Sequence, residues 1–201
     1  WRAQMADALG QISIGELKGI GPAQSQKLSR LNLYTLQDLM LHLPHRYEDR
    51  TRLTPIVNLV PDQGAVIEGD VVHTQIQFGR RRSLLVTLRD DTGQIAIRFF
   101  HFSKAQQLSL ASNRRIRCYG VPRRGASGLE LYHPDYSNAL AEPLATTLTP
   151  VYPITEGVSQ NRLRKIIQQG LKRPDLALGL PCLLPNPDFP DLIDCLRYVH
   201  A

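Results

Sequence analysis

The sequence predicts an α+β protein: an N-terminal helical subdomain, a five-stranded OB-fold β-barrel and a C-terminal helical connection. Three observations carry that prediction. Apolar residues recur at helical spacing from Ser13 to Leu43, and at Gly64 the pattern changes to alternation by two, the period of a strand with one buried face. From there the elements read strand, strand, strand, helix, strand, strand, which is the order of an OB-fold. After residue 148 prolines interrupt the chain and a second helical period begins. The expected boundaries are 1–58 for the helical subdomain, 59–147 for the barrel and 148–201 for the extended segment and helices.

Composition is consistent with a globular chain. The 201 residues are 42% hydrophobic, enough for packed cores. No run of about eighteen apolar residues occurs and the first thirty residues hold no secretory signal, so the expectation is a cytoplasmic protein with no membrane partner. Cys118, Cys182 and Cys195 are far apart and lack the spacing of a zinc site or disulfide framework, so they read as reduced thiols, with Cys118 in the core. No metal ligands are assigned.

In order along the chain, Leu17-Lys18-Gly19-Ile20-Gly21-Pro22 has the form of a helix-hairpin-helix turn. Its glycines allow a tight reversal, and Pro22 at a first helical position loses no hydrogen bond. Such a turn can hold a phosphate or serve as plain packing, and the residues leave both open. Ala23 to Leu31 is the second helix; Thr35 caps a third, Leu36 to Leu43, with Asp38 placed for a capping box. Ala65 to Phe78 is a long strand, with Gly69 at a bulge that lets it serve two sides of a barrel. In the second strand Leu84, Val86 and Leu88 point one way and Leu85, Thr87 and Arg89 the other; Asp91-Thr92-Gly93 turns the chain. The third strand, Gln94 to Phe102, places Ile95, Ile97 and Phe99 inward and Ala96, Arg98 and Phe100 outward. A helix over Ser103 to Ala111, a strand over Arg114 to Val121 with Arg115, Arg117 and Tyr119 outward, and a strand over Leu129 to His133 complete the barrel. Helices over Ser159 to Leu171 and Asp191 to His200 follow the extended Thr149 to Pro153.

The charge is concentrated in the barrel. Phe78 to Gly125 contains eleven cations (Arg80, Arg81, Arg82, Arg89, Arg98, Lys104, Arg114, Arg115, Arg117, Arg123 and Arg124) against Asp90 and Asp91. That local +9, set against +6 for the whole chain, leaves −3 elsewhere, so the basicity is a patch that fits a polyanion. By parity Arg89, Arg98, Phe100, Arg115, Arg117 and Tyr119 share one surface. The loops after the first and fourth barrel strands, 78–83 and 121–128, add Arg80, Arg81, Arg82, Arg123 and Arg124. Cations interleaved with flat rings suit a nucleic acid, the cations meeting phosphates and the rings unpaired bases.

Four segments together carry a resemblance: Leu17 to Pro22, Leu41-His42-Leu43-Pro44-His45-Arg46-Tyr47-Glu48-Asp49-Arg50, Arg98-Phe99-Phe100-His101-Phe102, and Leu148-Thr149-Pro150-Val151-Tyr152-Pro153-Ile154-Thr155-Glu156-Gly157. In unbroken order from Ile14 to Leu171, the chain resembles the N-terminal part of the RecG family of ATP-dependent DNA helicases, which remodel stalled forks and Holliday junctions. The resemblance implies that the barrel is a wedge splitting strands at a branch point, that Phe99 and Phe100 both stack on bases, and that branched DNA is the partner of a monomeric, nucleoid-associated protein, with a single-strand DNA-binding protein as a further partner. ATP and Mg²⁺ would belong to motor domains; no Gly-x-x-x-x-Gly-Lys-[Ser/Thr] loop occurs in these residues, so no cofactor or catalytic residue is assigned within them. On Phe99 the parity and the resemblance disagree. Two other readings stay open: a stand-alone OB-fold protein binding single-stranded DNA or RNA, and a basic module docking an acidic protein.

Overall fold

The computed structural model describes residues 8–79, 81–111, 113–125, 128–174, 176 and 191–201. In chain order the elements are helix α1 (Ala8–Gln11), a 3-10 turn (Ile14–Glu16), α2 (Pro22–Ser29), α3 (Leu36–Leu41), β1 (Arg46–Glu48), a second 3-10 turn (Ile56–Asn58), β2 (Ala65–Gln77), β3 (Ser83–Arg89), β4 (Gln94–Phe99), α4 (Lys104–Ser109), β5 (Arg115–Gly120), β6 (Arg123–Gly125), β7 (Gly128–Tyr132), β8 (Asp135–Asn138), β9 (Thr149–Val151), α5 (Gln160–Leu171) and α6 (Leu192–Val199). They form two compact units, one of residues up to Glu48 together with those from Thr149 onward, the other Asp49–Leu148.

The first unit is helical. Leu28, Leu36, Leu39 and Met40 from the N-terminal helices share a core with Leu163, Ile166 and Ile167 of α5 and with Ile193 and Leu196 of α6. The segment after residue 148, expected as a connection, therefore packs with the start of the chain. The physical reason lies in α5, whose apolar stripe needs a cover, and in Gly170, where a Cβ would sit 2.6 Å from the Met40 Cε. The capping box forms as predicted, Thr35 Oγ1 accepting the Asp38 N–H and the Asp38 carboxylate accepting the Thr35 N–H. In the turn before α2, Gly19 has φ +80° and Pro22 opens the helix. The carbonyls of Gly19 and Lys18 accept hydrogen bonds from Arg162 and Gln169 of α5, so the turn is a packing element of this core. The chain leaves the unit through β1 and returns through β9, its antiparallel partner.

A polar network closes the same core. The His200 ring is almost fully buried; Nε2 donates to the Met40 carbonyl at 2.9 Å, and in the neutral ring Nδ1 accepts from the Tyr152 hydroxyl at 2.8 Å. Burial holds the His200 pKa below its ordinary value, aided by the nearby charge of His42 and opposed by the bond to Met40. Because the unfolded ring then binds a proton more readily than the folded one, stability is complete above the unfolded pKa of about 6.5 and is lost as pH falls below it. Denaturant midpoints followed by circular dichroism from pH 7.5 down to 5 are expected to fall more steeply in the parent than in a His200→Gln variant; parallel slopes would remove His200 as the cause.

The second unit is the barrel. Its sheet runs β6-β7-β4-β3-β2-β5-β8, with β3 and β4 in an antiparallel meander, β5 antiparallel to β2, and β7 parallel to β4. That pairing is the OB-fold arrangement of its five principal strands, with β6 and β8 added at the edges. Ile67, Val71, Leu84, Val86, Leu88, Ile95, Ile97, Phe99, Ile116, Cys118 and Leu131 fill the interior, each at an inward position of its strand. Burial pushes the Cys118 thiol up to about 12. The β3–β4 turn is organised by Asp90, not Asp91: burial raises its pKa, but the bonds its carboxylate accepts from the Thr92 hydroxyl and from the N–H groups of Ile56, Thr92 and Gly93 together outweigh that and hold it below its ordinary value.

Strand β2 pairs with β5 over Ala65–Asp70 and with β3 over Asp70–Gln77, so one strand serves two sides. The register shift lies between Val71 and His73, two residues past the predicted Gly69. Gly69 itself answers a close approach, since a Cβ there would lie 2.4 Å from the Arg89 carbonyl oxygen and 2.8 Å from its carbon. Backbone cannot swing aside as a side-chain tip can. Gly69→Ala is expected to destabilise the barrel by about 1–3 kcal/mol, read as a lowered denaturant midpoint at unchanged slope.

Candidate nucleic-acid interface

The register of β2, β3, β4, β7 and β6 composes one outer face. Gln75, Leu85, Arg98 and Tyr132 form one row across it, and Thr87, Ala96, Glu130 and Arg123 form the next. Each is set outward by the same alternation that buries its neighbours. Phe78, Gly79, Arg81 and Arg82 follow the end of β2 beside this face, and the β6–β7 hairpin flanks it at the opposite edge.

At the centre sits an ion pair. Arg98 donates from Nε and Nη2 to the two Glu130 carboxylate oxygens at 3.1 and 3.3 Å, and from Nη1 to Gln77 Oε1 at 2.6 Å and Ser83 Oγ at 3.3 Å. Glu130 is only 4% exposed, and the Arg98 guanidinium, with the Tyr132 hydroxyl, holds its carboxyl below the ordinary range. Gly125 makes room for it, since a Cβ there would lie 2.5 Å from the Glu130 Cδ. Arg98 is thus oriented and locally neutralised, with four acceptor contacts fixing the plane of its guanidinium.

Phe100 lies one residue beyond the end of β4. Its ring is half-buried and stacks on Tyr132 with centroids 5.9 Å apart and planes at 11°. The His133 ring is tilted against it at 5.7 Å and His101 stacks on His133 at 6.1 Å. This makes a shelf of flat side chains at the end of β4 and β7, one of whose rings, Phe100, was foreseen as outward. Phe99 is a core residue, 4% exposed, edge-on to His133 and Tyr136 at 5.8 Å. Parity placed it correctly, and its ring has no open face here for a base.

The predicted cations divide into two groups. Arg81, Arg82, Arg123 and Arg124 are exposed and make no ion pair among the described residues; Arg82 lies over the Phe102 ring at 4.8 Å. Arg80 lies outside the described residues. Arg115 and Arg117 sit on β5, on the far side of β2 from β3; the register sets Arg115 in one row with Asp70 and Arg89, as parity suggested, but acids of β2 lie between these two cations and β3. Glu68 opposes Arg117, and Asp70 opposes Arg115. Glu68 accepts from Arg115 at 2.9 Å and from Arg117 at 2.7 Å, and Asp70 lies 3.4 Å from Arg115. The Arg50 Cζ lies over the Tyr119 ring, 3.9 Å from the ring centroid. A charge balance within 78–125 leaves out Glu68 and Asp70, which come from β2, and Glu130, which comes from β7.

Sequence reasoning also missed Glu130, Tyr132 and His133. The alternation of Leu129 to His133 puts Glu130 and Tyr132 on the side opposite Leu131, but only the parallel register with β4 shows that this side faces Arg98 and Phe100.

A family model described as RecG wedge domain matches residues 13–173. The chain is 48% identical over 198 residues to the ATP-dependent DNA helicase RecG of Escherichia coli K12, covering 96% of this chain and 28% of that protein. It is 41% identical to the protein of the same name from Pasteurella multocida, over 96% of this chain and 28% of the relative. A solved structure of RecG bound to a three-way DNA junction superposes with a TM-score of 0.76 at 25% identity, covering 94% of this chain and 27% of that one. The chain thus spans about 28% of the length of the curated relatives it matches.

Proposed function

The chain belongs to the RecG wedge-domain family, and from that premise we propose that it recognises branched DNA and acts as the strand-splitting wedge of an ATP-dependent DNA helicase in recombination and repair. One observation carries the reading: a half-buried aromatic, Phe100, braced on Tyr132 at the end of a face flanked by exposed arginines. At a branch point the last base pair presents a face that continuous duplex hides. A rigid ring held there replaces lost stacking, while Arg81, Arg82, Arg123 and Arg124, with Arg80, meet phosphates on either side. Arg98 is a preset polar contact at the centre. Phe99 supports the strand from inside, and Arg115 and Arg117, already paired with Glu68, contribute less to phosphate binding than their number suggests. In this reading ATP and Mg²⁺ act in parts of such a helicase that these 201 residues do not span. A bacterial cytoplasmic location on the nucleoid, a monomeric state and a single-strand DNA-binding protein as second partner belong to the same proposal.

The test compares a three-way junction, linear duplex and single strand at several salt concentrations. Junction affinity is expected to exceed both others and to fall with a log–log slope on the order of −3 to −6, as for about four to seven neutralised phosphates. Replacing Arg81, Arg82, Arg123 and Arg124 by alanine is expected to flatten that slope and weaken junction and duplex alike, because phosphate contacts do not discriminate. A salt-independent affinity would overturn the interface. Tighter binding to plain single strand than to the junction would favour the stand-alone OB-fold reading instead.

A further inference from the structure

His133 stands where the parallel ladder between β4 and β7 ends, just past the pair Arg98 and Tyr132. Its backbone N–H still donates to the Arg98 carbonyl at 3.0 Å. Its φ of +47° then turns the chain away, a conformation that His tolerates better than most residues. The partner that the next N–H of β4 would have found on a continuing strand is therefore absent. The imidazole takes its place: the Phe100 N–H donates to His133 Nε2 at 3.1 Å.

We infer that His133 is a positioning residue for Phe100, its imidazole Nε2 substituting for the missing strand and holding the Phe100 ring on Tyr132. The same ring braces Phe99 edge-on at 5.8 Å and Phe100 at 5.7 Å, so one side chain touches both residues of the pair. An acceptor role at Nε2 requires the neutral ring, with its proton on Nδ1. Protonation puts a second N–H against the Phe100 N–H, and the bond is lost. Although His133 is an exposed residue, partial desolvation of its ring, and after it the nearby charge of His101, hold its pKa below the ordinary value and favour the neutral state. The other groups packed around it are the rings of Phe99 and Phe100 at the end of β4; Tyr132 on β7 bears on it through Phe100.

The inference rests on the proposal that Phe100 stacks at a branch point, but its first test needs no DNA. In an amide NMR titration of the chain from pH 8 to 5, the Phe100 N–H resonance is expected to move with a midpoint below about 6.5, and to stay in place in His133→Gln, whose amide oxygen is an acceptor that does not titrate. In binding assays the junction-over-duplex preference of the parent is expected to fall over the same range, while His133→Gln keeps it throughout. His133→Ala is expected to lose at every pH much of the 5- to 150-fold that one stacked ring contributes. A Phe100 amide indifferent to pH, or a pH-dependent preference that survives in His133→Gln, would overturn the positioning role. Should the amide titrate as expected while Phe100→Ala keeps its junction preference, the clamp stands and the stacking proposal falls.

Discussion

Phe100→Ala is expected to weaken binding to forks and three-way junctions by about 5- to 150-fold, the equivalent of about 1–3 kcal/mol for one stacked base, and to leave linear-duplex affinity nearly unchanged. The asymmetry follows from what each DNA exposes. Interior base pairs are covered on both faces, so an aromatic at the end of β4 has nothing to stack on in continuous duplex. The fold should survive, because the ring is half-buried and its principal partner is Tyr132 at 5.9 Å, an aromatic contact worth about 0.5–1.5 kcal/mol. Titrations of fork, junction and duplex, with a thermal melt of each protein, separate the effects. An equal loss on all three substrates, or collapse of the barrel, would remove Phe100 from the role assigned to it.

Phe99→Ala has its large effect on stability. The ring is enclosed by the barrel interior with Leu84 directly across on β3, and it meets His133 and Tyr136 edge-on. Truncation removes those contacts and leaves a cavity whose lining relaxes only in part, at an expected cost of about 3–5 kcal/mol, measured by denaturant unfolding. DNA binding at low temperature, where the domain is still folded, should retain its preference for junctions. A variant that keeps its melting temperature while losing that preference would mean that the Phe99 ring leaves the core when DNA binds, as the family resemblance suggests for both rings. The two variants thus test the proposed division of labour, in which the inner ring holds the strand and the outer ring meets the base.

Much of this was legible in the residues because it is local. The capping box of Thr35 and Asp38, Pro22 at the first position of α2, the inward parity of Phe99 and the outward parity of Arg98 each depend on neighbours within about one turn or one pleat. The order of the five principal strands and their helix along the chain, too, followed from the spacing of periodic segments, while the short β6 and β8 did not. What the tertiary structure alone decided concerns partners far apart in the chain. Parallel pairing of β4 with β7 brings Glu130 to Arg98, Tyr132 to Phe100 and His133 to the end of the ladder. The pairing of β2 with β5 brings Glu68 to Arg115 and Arg117 and so removes two cations from the basic patch. The apolar stripe of α5 finds its cover on α3, more than a hundred residues earlier, so that the two ends of the chain form one core. In each case the composition of a segment states what its faces need, and only the register between distant strands or the seating of one helix on another determines which side chain meets that need.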